Sequence, residues 1–175
     1  MRGRASLLAL DIGVSLRLDV RAASASAPSP HTFDVRELAR GELARVLGVS
    51  AALNRPADGV DLVAPSGWRC FAAFDGATPI HVSFVELRPS RPLLFGAVSE
   101  PAARGRGAFR ETIRFIAARL RDAGETSLYS SVGWSNRASL RAHEAAGFEI
   151  MQRRVDVRVL GVSVRGVARR LLRRR

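Results

Sequence analysis

The run EPAARGRGAF, residues 100–109, puts two glycines and two arginines at the head of an apolar-periodic segment. Glycines let backbone N–H groups approach an anion with no Cβ in the way, and a helix N-terminus adds partial positive charge. Arg104 and Arg106 add full charges, so the loop is suited to holding phosphates. Other chemistries are poorly supplied. No His/Cys/carboxylate cluster has metal-ligand spacing, so no metal is expected. There is no Gly-Lys-Ser/Thr nucleotide loop and no nucleophile elbow. The single cysteine, Cys70, sits in an apolar run without a neighbouring base and is a poor nucleophile.

The elements needed to position this loop can be read on both sides of it. Leu93–Ser99 reads as a strand that delivers the loop, and Pro101 cannot donate a ladder hydrogen bond, so pairing should end there. From Phe109 the apolar positions Phe109, Ile113, Ile116 and Leu120 mark one face of a helix of about four turns, with Gly124 as its stop. Residues 128–132 form a short buried-strand run. Asn136 is a good N-cap for a helix through Ala145, which Gly147 ends. Val155, Val157 and Val159 alternate with polar residues as a last strand, before the basic tail GVARRLLRRR.

Upstream, WRCFAAF and PIHVSFV flank Asp75-Gly76-Ala77-Thr78, a hairpin signal. Residues 6–20 favour a strand and RAASASAPSP a linker. Asp34, with Glu37 three residues on, predicts the start of a helix carrying Val35, Ala39, Leu43 and Leu47 on one face. The aromatic residues Trp68, Phe71, Phe74 and Phe84 are assigned to the core. Trp134 is read as core or as the wall of a cofactor or substrate groove.

A chain of 175 residues with 47% hydrophobic content is one ordinary domain. We divide it into an N-terminal segment and linker (1–30), a domain (31–164) and a basic tail (165–175). All 28 basic residues are arginine. Residues 101–175 hold 17 of them against 6 acidic residues, so +11 of the net +12 lies there. A polyanionic ligand would be drawn to that half, although a merely solvated basic face reads equally well. One cysteine excludes an internal disulfide framework and fits a cytoplasmic setting. Asp11 and the flanking charges leave only residues 5–10 uncharged, too short for a signal core, and no stretch is long enough to span a membrane.

RGRG, a helix, a short strand and then NRASLRAHEAAGF together resemble the GNAT acyltransferase superfamily. Its members show an RGxGxG-like loop followed by N-x-x-A/S-x-x-x-Y-x-x-x-G-F. The likeness covers residues 93–150, and the upstream hairpin fits the family's strand order. It implies an α/β fold, a mixed and mainly antiparallel twisted sheet flanked by helices, and acetyl-CoA as acyl donor. The amides of Arg104, Gly105, Arg106, Gly107 and Ala108 would cradle the pyrophosphate. Val98 and Ser99 would face the pantetheine arm, and Asn136 would contact or orient it.

Two positions depart from the pattern. Phe109 stands where the family has Gly or Ala, and is read as a core residue. His143 stands where the family's Tyr protonates the departing thiolate; a histidine could donate that proton, or it could simply pack beside the cofactor. The family's general base is a carboxylate or water relay near the central strands, for which Glu86, Glu100 and His81 are the candidates. His81 and Glu86 differ in parity along their strand, so at most one faces a given side.

The expected activity is N-acyl transfer, most simply of acetyl, to an amine by direct attack. The alternatives are a GNAT-like binding protein whose arginine-rich half docks on RNA or another acidic partner, and a tail that lies on an anionic membrane surface. The acceptor and the oligomeric state are not legible.

Overall fold

The computed structural model describes residues 8–25, 33–50, 53, 67–159 and 162–166. Their strands form one eight-stranded sheet in the order β2-β3-β4-β5-β6-β1-β7-β8. The strands are β1 (Leu8–Asp19), β2 (Asp34–Leu38), β3 (Trp68–Asp75), β4 (Thr78–Glu86), β5 (Leu93–Ser99), β6 (Ser127–Gly133), β7 (Glu149–Val159) and β8 (Val162–Gly166). The helices are α1 (Val20–Ser24), α2 (Arg40–Leu47), α3 (Ala108–Asp122) and α4 (Arg137–Ala145), with a 3₁₀ turn at Pro101–Ala103. All pairings are antiparallel except that of β5 with β6.

Alternation along β3 sorts its side chains between two layers, as strand geometry requires. Cys70, Ala72 and Phe74 pack with Leu43, Val46 and Leu47 of α2, together with Val82 and Phe84. Phe71 turns the other way, into a larger cluster with Ile113, Ile116 and Leu120 of α3. Phe71, Phe74 and Phe84 are thus core residues as expected, while Trp68 is partly buried at the margin.

The hairpin signal at Asp75-Gly76 is realised: Asp75 pairs with Thr78, and Gly76 takes a left-handed φ of 59°. The helix expected from Phe109 starts one residue earlier at Ala108, with Gly107 as its N-cap.

Two upstream expectations change. Asp34 starts no helix; Asp34–Leu38 is a strand paired with Phe74–Cys70 of β3. The helix begins only at Arg40, where Glu42 Oε2 accepts from the Ala39 amide. Only half of the reciprocal cap expected at Asp34 and Glu37 is formed, five residues later, because the Ala39 side chain has no acceptor to return the bond. Part of the linker folds as well, since Asp19 caps α1 through the Ala22 amide; residues 26–32 lie outside the described residues. Residues 8–19, set apart from the 31–164 domain by sequence, run through the sheet between β6 and β7.

Candidate functional site

β5 and β6 hold each other only at the start of β5, where Leu93 pairs with Tyr129 and Leu94 with Ser130 in the middle of β6. Beyond that point the two parallel strands separate. The cause lies on the opposite edge of β5. Phe84 pairs with Phe95 and Val82 with Val98, so Gly96 and Ala97 together oppose the single residue Ser83. This is a two-against-one bulge, with Gly96 in the left-handed region at φ 58°. A bulge bends and twists its strand, here away from β6. Residues 95–99 are left half-buried, with an edge that β6 does not cover.

Just past this edge lies the glycine-arginine loop. Gly105 and Gly107 have φ of 77° and 92°, conformations that only glycine adopts without strain. A Cβ added at Gly105 would meet no protein atom within 4 Å, so that side of the loop is open. The first amides of α3 point out of its N-terminus without helical partners, as all helix starts do. Ala108 is buried beneath them. Arg104 is exposed; Arg106 is ion-paired to Asp75 at 2.8 Å and lies 5.6 Å over the Phe33 ring. The Arg104 amide is the exception among the expected donors, since it is held by the Pro101 carbonyl at 3.4 Å. From Gly105 on, the loop offers what a pyrophosphate needs, backbone donors beside cationic side chains.

β6 runs parallel to β5, so the turn after it leaves the sheet at the same edge as the loop. That turn presents Asn136, whose Oδ1 accepts from the Ser139 amide at 3.1 Å and caps α4. Val98 and Ser99 lie on the uncovered part of β5, and Ser99 pairs with His81 of β4. The sequence-derived set Val98, Ser99, 104–108 and Asn136 thus gathers around one opening.

The titratable candidates are more scattered. His81 is buried, with Nδ1 2.8 Å from Ser99 Oγ and Nε2 2.7 Å from Ser83 Oγ. Burial pushes its pKa down to about 3, so the ring is neutral at ordinary pH. His143 is also buried. Its Nδ1 lies 2.8 Å from the Ser139 carbonyl and must donate to it, which leaves Nε2 to accept from Ser130 Oγ at 3.0 Å. Burial lowers its pKa, partly opposed by the bond to Ser139. Both nitrogens are thereby occupied.

Between the two histidines stands Phe109, its ring 5.7 Å from that of His81 and 4.9 Å from that of His143. As expected, it packs against the core cluster of α3. Its ring covers one side of each buried histidine.

Glu86 is not brought to the site. It pairs with Leu93 at the far end of β5, and Arg88 holds its carboxyl below the usual range through a 2.6 Å hydrogen bond. Glu100 is at the near end. It contacts the Ser50 hydroxyl and, with Arg106, lines a pocket of about 330 Å³ floored by Ile80 and Ala103. Among the described residues, Glu100 is the only carboxylate in that lining. Cys70 is buried, and burial pushes its thiol up to about 12, so it is no nucleophile.

Two features of the site were not recognised from sequence. One is the bulge, for which Gly96 inside an apolar run was the available signal. The other is the setting of Trp134, where Arg137 and Arg153 both lie 4.0 Å from the ring centroid. Among the described residues there is no group of side chains that could hold a metal ion and no helix long and apolar enough to cross a membrane.

By sequence, no family model and no curated protein matches the chain. By structure, the chain is similar to a functionally unknown conserved protein from Staphylococcus epidermidis, with a TM-score of 0.66 at 9% identity, over 86% of this chain and 62% of that one. It is similar to a GCN5-related N-acetyltransferase from Kribbella flavida, with a TM-score of 0.65 at 11% identity, over 89% of this chain and 61% of the other. A third is an aminoglycoside N-acetyltransferase, AAC(6')-Iy, in complex with CoA. There the TM-score is 0.56 at 22% identity, over 66% of this chain and 91% of that one. The chain thus spans 62% and 61% of the length of the first two.

Proposed function

The chain has the fold of the GNAT N-acetyltransferases, and on that premise we propose that it transfers an acyl group, most simply acetyl, from CoA to an amine. The observation that carries this reading is the opening between β5 and β6, set directly beside the glycine-arginine loop.

The pyrophosphate rests on the amides of residues 105–108, with the side chains of Arg104 and Arg106 beside it. The pantetheine arm lies along the uncovered edge of β5, pairing its amides with Val98 and Ser99 as an added strand would. Asn136 uses its Oδ1 to cap α4, which leaves its NH₂ group for the arm. The thioester reaches the bulge, where a residue lies outside the regular ladder and its amide would hold the carbonyl oxygen as charge develops.

The amine lone pair attacks the thioester carbon. A C–N bond forms, the C–S bond breaks, and CoA departs as the thiolate. Glu100 takes the proton lost by the amine, through water. The thiolate is protonated from water rather than by His143, whose one N–H is held by the Ser139 carbonyl. His81 and His143 are positioning residues: they wedge Phe109, and through it the start of α3, against β4 and β6.

Mixing the protein with acetyl-CoA and a panel of primary amines, and following thiol release, tests the activity. Glu100→Gln is expected to lower kcat by about 100-fold, the usual range for losing a general base, while leaving acetyl-CoA affinity unchanged. Glu86→Gln, at the other end of the strand, should alter neither. An unchanged kcat in Glu100→Gln would remove the base assigned here.

A further inference from the structure

We propose that Arg137 and Arg153, held on Trp134, seat the 3′-phosphate of the CoA nucleotide; this rests on the acyl-CoA reading above. Both guanidinium carbons lie 4.0 Å from the indole centroid, so two positive charges are held within about 8 Å of each other by cation–π contact. Such an arrangement is costly when nothing offsets the repulsion. Among the described residues no carboxylate is ion-paired to either arginine, whereas Arg36, Arg45, Arg69, Arg88, Arg106, Arg114 and Arg121 all have one. Arg153 Nε is moreover buried with no hydrogen-bond partner. A buried donor of that kind calls for an acceptor.

The place of the cluster says which acceptor. Val14 of β1 pairs with Val132 on one side and Arg153 on the other, which sets Arg153 level with the end of β6, across the intervening β1. Trp134 and Arg137 follow at the turn into α4. Because β5 and β6 are parallel, this turn and the 104–108 loop flank the same opening. A ligand whose pyrophosphate occupies the loop would present its second phosphate to the neighbouring turn. A phosphomonoester carries close to two negative charges at neutral pH and three acceptor oxygens. Two guanidinium groups with five N–H donors each complement it. Trp134 serves as the spacer that orients them in advance, and so is neither simply core nor a bare stacking platform for a base.

The test compares CoA with dephospho-CoA, which lacks only the 3′-phosphate, by isothermal titration of the full chain at fixed ionic strength. CoA is expected to bind about tenfold or more tightly, the range for one or two charge-assisted hydrogen bonds. In Arg137→Ala the two affinities should converge, with that for dephospho-CoA unchanged. Arg137 is exposed, so the variant should fold. Arg141→Ala, one turn along α4, should keep the wild-type ratio. Equal affinities in the wild type, or a ratio that survives Arg137→Ala, overturn the inference alone. Binding of neither compound removes the acyl-CoA reading and the inference with it.

Discussion

Gly105→Ala and Gly76→Ala are expected to destabilise the fold by similar amounts, about 1 kcal/mol each, yet only Gly105→Ala should weaken acetyl-CoA binding, by about tenfold or more. Both glycines have positive φ, 77° and 59°, and at neither would an added Cβ meet a protein atom within 4 Å. The backbone strain from the new methyl group is therefore comparable. What differs is the space the methyl would enter. At Gly76 it is solvent beside a hairpin. At Gly105 it is the open side of the loop, across which a pyrophosphate would hydrogen-bond to the amides. Urea denaturation measures the common term and calorimetric titration the difference. Equal loss of affinity in the two variants would mean that strain alone is being read.

The second large effect is on acid stability. His81 has a folded pKa pushed down to about 3 by burial, against a reference value of 6.5. The unfolded chain therefore takes up a proton that the folded protein refuses, throughout the window between those values. Stability is present in full above pH 6.5 and is lost as pH falls through that window. At pH 5 the loss from this one group is about 2 kcal/mol. His143, also shifted down by burial, acts in the same direction. Asp19, a lowered carboxylate, loses its contribution only at more acid pH, below its reference value of 3.8. The urea midpoint should thus drop between pH 7 and pH 5 in the wild type. His81→Asn, with no titratable ring, should flatten that dependence while lowering the plateau, because Ser99 and Ser83 lose partners. A midpoint equally pH-dependent in His81→Asn would contradict the assignment.

The parts of this molecule that were legible in sequence are those whose causes are local. Asp75-Gly76 specifies a hairpin, Asn136 caps α4, and the spacing of Ile113, Ile116 and Leu120 sets a face of α3; each acts within a turn or two. The family likeness extended that reading to the loop and to the strand before it. What could not be read depends on partners distant in the chain. β1 finds its place only by pairing with Ser127–Gly133 and with Glu149–Val159, and nothing near residues 8–19 names those partners. Asp34–Leu38 has a sequence compatible with a helix start, and becomes a strand because β3 offers it an edge.

At the site the same division holds. The loop was recognisable only in combination, because RGRG, a helix, a short strand and NRASLRAHEAAGF follow one another in that order. Glu86 and Glu100 could not be ranked, since only the register of β4 on β5 separates the far end of the strand from the near one. His143 stood at a position implying proton transfer. Packing beside the cofactor was the other reading of that position. We adopt it because the bonds to Ser139 and Ser130 occupy both ring nitrogens and Phe109 lies against the ring. Phe109 itself was the clue, for a large ring in place of a small residue must displace something.

Hydrogen–deuterium exchange of the full chain with and without acetyl-CoA tests the central claim most directly. The account predicts slowed exchange at residues 95–99 and 104–110 and at the start of α4, with the β4 end around Glu86 unchanged. Binding that left the amides of residues 95–99 and 104–110 unprotected would contradict it.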